Sequence, residues 1–357
     1  MISNFFLGAN SSAGFQSLYE GFVDPEKNQD VIVLKGGPGA GKSSFMKYIG
    51  EQAEARGEDV EYIWCSGDPE SLDAVRLPRL GILAVDGTSP HVVEPQYPAA
   101  VDRYVNLGRF YQVEKLKTLR EEIMAHAKDY RAAYRQAYRA LKAAGEVERC
   151  LQDLTSTGFD QEKLRRRTAG IITRELGKQG GGTGEIAYRF LGGVTHRGLI
   201  WRFDTVETLC DRIYELKDSR GLGGEVLHTV AQAAVQRGYD VIACLDCNRL
   251  ARLQHLILPE LRLGFITTRE GMEYTGKKPY RRIHIDAMAD QRLQRQNRSR
   301  CRFHRRMYQL LMEEAIAGLQ AAKASHDLLE KAYNPYVDFD GVYALAKEEW
   351  KRIEKQL

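Results

Sequence analysis

Residues 30–44 read Asp30-Val31-Ile32-Val33-Leu34-Lys35-Gly36-Gly37-Pro38-Gly39-Ala40-Gly41-Lys42-Ser43-Ser44. The run Asp30–Leu34 is apolar and β-branched, as a strand buried on both faces of a parallel sheet should be. Gly36 to Ser43 match GxxxxGKS. From Ser44 to Arg56 the apolar spacing is helical, and Gly57 is a stop signal. A glycine loop between a buried strand and a helix N-terminus can curl its N–H groups around a polyphosphate, and the helix end adds favourable partial charge. The sequence therefore predicts an α/β fold of the P-loop NTPase type, a mostly parallel sheet flanked by helices. Gly36, Gly37, Pro38, Gly39, Ala40, Gly41, Lys42, Ser43 and Ser44 are expected to hold the nucleotide. Lys42 should reach the β/γ-phosphates and the Ser43 hydroxyl should ligate Mg²⁺.

Such a site needs a second acid on the metal, at the C-terminal end of another buried strand. Gly81-Ile82-Leu83-Ala84-Val85-Asp86 fits, and Asp86 is the expected metal-binding carboxylate. Gly87 follows it, so a water-activating base must come from elsewhere. Asp68, Glu70 and Asp73, in the loop expected after a strand Val60–Trp64, are candidates. They would lie where open α/β sheets place their ligands. His91, after Asp86, is another, although it could equally cap or pack. Each of the acids could also be a solvated loop residue.

The chain has 357 residues, which argues for two domains. With 43% hydrophobic and 28% charged residues it has the composition of a soluble globular protein. A formal charge of +4 does not by itself argue for nucleic acid. No apolar run approaches a membrane span, and Met1–Gly14 lacks a charged leader and cleavage site, so a cytoplasmic location is expected. Six cysteines do not make a disulfide scaffold in a chain of this length. Cys244 and Cys247 form a lone CxxC without a second pair at zinc spacing, and ordinary reduced cysteines are the simpler reading.

The chain also repeats itself at a spacing of about 180 residues. Phe6-Leu7-Gly8 returns as Phe190-Leu191-Gly192, and Leu34-Lys35 as Leu216-Lys217. Arg56-Gly57 returns as Arg237-Gly238, Leu77-Pro78 as Leu258-Pro259, and Phe159-Asp160 as Phe339-Asp340. The joint falls near Gly177–Gly184, a linker composition, giving domains 1–180 and 185–357. Counted from Leu216, Gly224 stands opposite Lys42 and Glu225 opposite Ser43. Thr267 stands opposite Asp86, and Arg249 and Gln254 opposite Asp68 and Asp73. A carboxylate in a phosphate loop without the lysine repels a polyphosphate. The second half is therefore expected to keep the fold and to have lost the site.

Each half continues into long helices. Val101–Gly145 is amphipathic, with Ala125–Ala144 its clearest helical part and Asp160–Leu176 a returning helix. The second half echoes this with Asp286–Lys331, a turn through Pro335, and Asp340–Gln356. These arms are candidate surfaces for a protein partner. Arg292, Arg295, Arg298, Arg300, Arg302, Arg305 and Arg306 enrich the second arm, and Arg165, Arg166 and Arg167 cluster in the first. Arginine suits phosphate contacts, so a nucleic acid is conceivable there. The small net charge favours a solvated helix face.

These segments resemble a bacterial family of tandem P-loop ATPases, seen mostly in Gram-positive spore-forming lineages. FFLGAN, LKGGPGAGKSS, SLDAVRLPRL, DGTSPH and DLLEKAYNPYVDFD carry the resemblance, which spans nearly the whole chain. It implies the fold and ATP binding, not a pathway. It also implies a role near the γ-phosphate for Ser71–Asp73 and Asp86–His91. Both copies commonly keep a phosphate loop in that family, and this chain departs from the pattern. The expected activity is Mg²⁺-dependent ATP hydrolysis in the first half. The alternatives are a kinase passing the γ-phosphate to a small molecule or nucleotide, with Arg103 or Arg109 as lid arginine, and a nucleotide-gated scaffold. No NKxD sequence occurs, which favours ATP over GTP. Arg220, in the degenerate loop, is a candidate arginine finger reaching the first site from the second half, or else a surface arginine.

Overall fold

The order of the strands shows the repeat directly. The N-terminal half contributes β1 (Ile2–Phe5), a hairpin of β2 (Gly8–Ser11) and β3 (Gly14–Ser17), β4 (Asp30–Lys35), α1 (Lys42–Glu54), β5 (Val60–Trp64), β6 (Leu72–Leu77), β7 (Ile82–Asp86), β8 (Asp102–Asn106), α2 (Val113–Thr118), α3 (Arg120–Ser156) and α4 (Gln161–Glu175). The C-terminal half contributes β9 (Ile186–Arg189), a hairpin of β10 (Gly192–Thr195) and β11 (Gly198–Trp201), α5 (Phe203–Leu209), β12 (Arg212–Lys217), α6 (Gly223–Val235), β13 (Val241–Asp246), β14 (Arg249–Leu258), β15 (Leu263–Thr268), β16 (Arg281–His284), α7 (Gln291–Tyr333) and α8 (Phe339–Glu354). One six-stranded sheet runs β1-β5-β6-β7-β4-β8, and the other, read from its far edge, runs β9-β13-β14-β15-β12-β16. Within these two sheets, among the described residues, only β6 and β14 are antiparallel to their neighbours. The protein is thus α/β, with two mixed, mostly parallel sheets flanked by helices. This computed structural model describes residues 1–156, 158–177 and 182–357; residues 178–181 of the glycine-rich joint lie outside the described residues.

Strands β4, β5 and β7 fall where the apolar runs put them; the buried central strand β6 and the edge strands do not. Val101–Gly145, expected to be helical throughout, begins with edge strand β8 and a short 3-10 turn. Asp286–Lys331 likewise starts helix only at Gln291, after edge strand β16. Asp73, expected in a loop, is the second residue of the antiparallel strand β6. Asp160 and Asp338 cap α4 and α8, accepting from Lys163 N at 2.9 Å and Gly341 N at 3.0 Å. Asp160 therefore corresponds to Asp338, not to Asp340.

The halves exchange their last helices. After its sheet each half runs into a long helix, and α3 and α7 lie antiparallel, with Gly318 against Ala137 and Asn297 Nδ2 donating to Leu154 O at 3.3 Å. Each chain segment then lands on the other half. Helix α8 packs on α1, burying Val342, Ala346, Trp350 and Ile353 with Ile32, Phe45 and Ile49. Helix α4 packs on α6 through Leu164 and Ile171. Matching bridges pin both crossovers, Tyr111 to Val337 and Phe159 to Ala289. At the centre Phe6 and Phe190, both fully buried, exchange two backbone hydrogen bonds of 2.9 Å. Among the described residues, no helix is long and apolar enough to cross a membrane.

Candidate functional site

The loop between β4 and α1 is built for an open helix end. Gly39 and Gly41 adopt φ of 69° and 83°, conformations that favour glycine, and they turn the chain so that α1 starts at Lys42. No side chain caps α1, so its first N–H groups are free to meet an anion. Lys42 Nζ donates to Gly36 O at 2.7 Å and Gly37 O at 3.0 Å, and lies 3.5 Å from Asp86 Oδ2. Ser43 Oγ accepts from Leu72 N at 2.9 Å, and Ser44 is exposed on the first turn of α1. Ala40 is buried, and Pro38 O accepts from Tyr111 OH at 3.4 Å. A Cβ on Gly39 would fall 2.4 Å from Asn334 Oδ1, so the corner between α7 and α8 abuts the loop. Lys42, Ser43 and Asp86 thus converge where strands β4 and β7 end, in the parallel register Leu34 to Asp86.

A third strand completes the site. Asp73 on β6, Asp86 and His91 place one ligand atom each within 4.8 Å of one another. Asp86 Oδ1 accepts from Thr88 N at 2.9 Å and Thr88 Oγ1 at 2.6 Å, while Asp73 Oδ2 accepts from Tyr19 OH at 3.1 Å. Tyr19 stacks on His91 with ring centroids 4.4 Å apart. Lys35 Nζ holds the loop carrying His91 through Gly87 O at 2.7 Å and Val93 O at 2.9 Å. Burial raises the Asp73 carboxyl above its ordinary range; His91 opposes this and Asp86 reinforces it. Burial pushes the Tyr19 hydroxyl well up, with Asp73 adding to it, so Tyr19 stays a donor.

The other candidates face elsewhere. Asp68 accepts from Ser71 Oγ at 2.9 Å and lies 3.6 Å from Lys323 of α7. Burial acts to raise its carboxyl, but Ser71 and Lys323 outweigh that and hold it below its usual range. Glu70 pairs with Arg197. Arg103 binds Asp30 at 2.9 Å and Glu349 of α8, near the start of β4 and away from the glycine loop. Arg109 is exposed beside Phe110, on the 3-10 turn whose Leu107 adjoins Gly36. The seven arginines of α7 are all exposed, with Phe303 among them. Cys244 and Cys247 are buried free thiols, both pushed up to about 12 by burial, which keeps them from acting as thiolates.

The second half closes the equivalent place. Helices α1 and α6 have the same length, and their buried residues match at a shift of 181, Phe45 with Val226 and Ile49 with Val230. Lys42 therefore corresponds to Gly223, Ser43 to Gly224 and Ser44 to Glu225. The loop has lost one residue, which the comparison counted from Leu216 hid. Asp218 Oδ2 accepts from Gly223 N at 2.7 Å, and Asp286 accepts from Ser219 N at 3.1 Å. Two carboxylates thus take N–H groups of this loop. Arg252 lies against Gly221 and Gly224 and pairs with Glu148 at 3.3 Å and with Asp246. Arg220 donates to Thr155 O at 3.0 Å, at the end of the helix pair where Asn297 meets Leu154. The first loop sits at the opposite end, by Asn334, roughly 50 Å of helix away at 1.5 Å per residue. Arg220 is therefore not placed as a finger for the first site. Comparison with known protein families, with curated proteins and with solved structures gives no significant match.

Proposed function

We propose that the N-terminal half is a P-loop nucleotide site that binds ATP with Mg²⁺ and hydrolyses it, as the resemblance to tandem P-loop ATPases implies. The observation that carries this reading is the contrast between the two loops. The uncapped α1 start keeps its donors, lysine and hydroxyl, whereas α6 is capped by its own Asp218. The residues fit the metal as well as the phosphate. Ser43 and Asp86 would hold Mg²⁺, which when bound neutralises charge developing on the phosphates. Lys42, released from Gly36 O and Gly37 O, turns to the β/γ-phosphates. Asp73, whose carboxylate has a raised proton affinity, accepts the proton of the attacking water. The second half serves as a pseudo-NTPase, and the α7–α8 corner beside Gly39 couples the loop to the helical pair.

Calorimetric titration with a slowly hydrolysed ATP analogue and Mg²⁺ tests the reading. Lys42→Ala should weaken binding about 10- to 150-fold, the 1.5–3 kcal/mol of a hydrogen bond to a charged group. Unchanged affinity in a folded variant would sink the site. Turnover that appears only with an added hydroxyl or phosphate acceptor would make the protein a kinase.

A further inference from the structure

Asp73, Asp86 and His91 carry more than a magnesium–nucleotide site requires. His91 is only 7% exposed, yet neither ring nitrogen has a hydrogen-bond partner. A buried imidazole without partners is costly, and protein side chains in this position normally find one. Its Nε2 points to Asp73 Oδ1 at 3.9 Å, and the Tyr19 ring stacked on it fixes the plane. The two carboxylates converge on the same point. Asp86 uses Oδ1 for Thr88 and Asp73 uses Oδ2 for Tyr19, so Asp73 Oδ1 and Asp86 Oδ2 are the oxygens left for an ion, which would displace Lys42 Nζ from its place 3.5 Å from Asp86 Oδ2.

The repeat supplies an internal control. At the shift of 181 that aligns the strands, Asp73 becomes Gln254, Asp86 becomes Thr267 and His91 becomes Met272. These three again line one cleft, so the place is kept while none of its three ligating groups survives. Packing alone would not require all three to change together.

We propose that Asp73, Asp86 and His91 form a binding site for one divalent transition-metal ion of the Mn²⁺, Co²⁺ or Zn²⁺ class. Two carboxylates and one neutral imidazole supply three donors and two negative charges. Imidazole suits these ions, whereas Mg²⁺ prefers oxygen ligands and keeps its waters. The ion satisfies His91 and removes the repulsion between the two acids. Because it needs no phosphate, it binds the nucleotide-free protein. The inference shares Asp73 and Asp86 with the proposed ATP site but does not depend on ATP binding there.

The test is a Co²⁺ titration of the full-length, nucleotide-free protein, followed by visible absorption, with Mn²⁺ binding followed by electron paramagnetic resonance. One equivalent should bind, and a hundredfold excess of Mg²⁺ should not displace it. His91→Gln and Asp73→Asn should each weaken binding by more than the roughly 10- to 100-fold that losing an outer-shell partner costs. Circular dichroism checks that both remain folded. Lys42→Ala should retain the cobalt spectrum while losing ATP. Absence of a nitrogen-ligated Co²⁺ spectrum in a wild-type protein that binds Mg²⁺–ATP would overturn this inference and leave the ATP site standing. Cobalt binding with no ATP binding would do the reverse. Binding unchanged in both variants would place the ion elsewhere, with the half-exposed group His326, Asp327 and Glu330 the other candidate, and would also overturn the assignment.

Discussion

Asp73 is where burial and function oppose each other most directly. Its raised proton affinity means that the native protein holds more protons than the unfolded chain between the ordinary carboxylate range and the raised value. The stability this group contributes is complete below that window and is lost as pH rises through it. Asp73→Asn keeps an acceptor for Tyr19 and removes the charge. In metal-free protein the variant should therefore gain thermal stability over wild type as pH is raised from 4 to 8. A difference that does not change with pH would show that the carboxyl is not raised. Residue by residue, sequence reading put Asp73, Asp86 and His91 on a loop and at a strand end, and the family resemblance put both segments near the γ-phosphate, without their direct contact. The mutual contact of the three side chains was not legible, because β6 returns antiparallel between two parallel strands and nothing local in Leu72–Leu77 announces that. The stacking of Tyr19, more than fifty positions before Asp73, is equally invisible along the chain.

Among the elements, the legible ones are those whose environment is uniform. DVIVL and ILAVD are buried on both faces and read as continuous apolar runs. The edge strands DRYVN and RRIH are part exposed and mostly polar, and they pass for the start of a helix. Loop chemistry was legible in kind and displaced by one position: α6 begins at Gly223, and the missing loop residue shows only when the buried faces of α1 and α6 are superposed. The geometry adds a reason beyond the missing lysine to expect no phosphate at the second loop, since Asp218 accepts the first N–H of α6. Titration with the ATP analogue should thus give about one site per chain, the number of intact motifs. Asp218→Ala should not create a second site, and it should lower stability by about 1–3 kcal/mol, the usual cost of leaving a buried N–H without its partner. Urea unfolding measures the cost. A second nucleotide equivalent in wild type would show that the carboxylate cap yields to phosphate.

At the scale of the molecule, the exchanged helices decide what can fold alone. Sequence repetition shows which segments are equivalent and is silent on which half each one packs against. The sequence repeat divides the chain into residues 1–180 and 185–357, but α8 closes the core over Ile32 and Phe45, and α4 closes the core over α6. A fragment ending at Gly177 would lack Val342, Ala346, Trp350 and Ile353. Burying the three larger of these contributes about 1.5–3 kcal/mol each, comparable in total with the 5–15 kcal/mol stability of a whole domain. The fragment would also lose the Arg103–Glu349 pair and the Tyr111–Val337 bridge beside the glycine loop. Residues 1–177 expressed alone should therefore be unstable and fail to bind nucleotide, although every residue of the loop is present. Co-expressed with residues 182–357, they should purify as a one-to-one pair and recover binding, because the exchange needs no covalent joint. Thermal unfolding, sizing by light scattering and analogue titration of the separate and paired fragments check this. A stable, monomeric, nucleotide-binding fragment 1–177 would show that α8 is dispensable and that the helix exchange is an accessory of the site, not part of what holds it together.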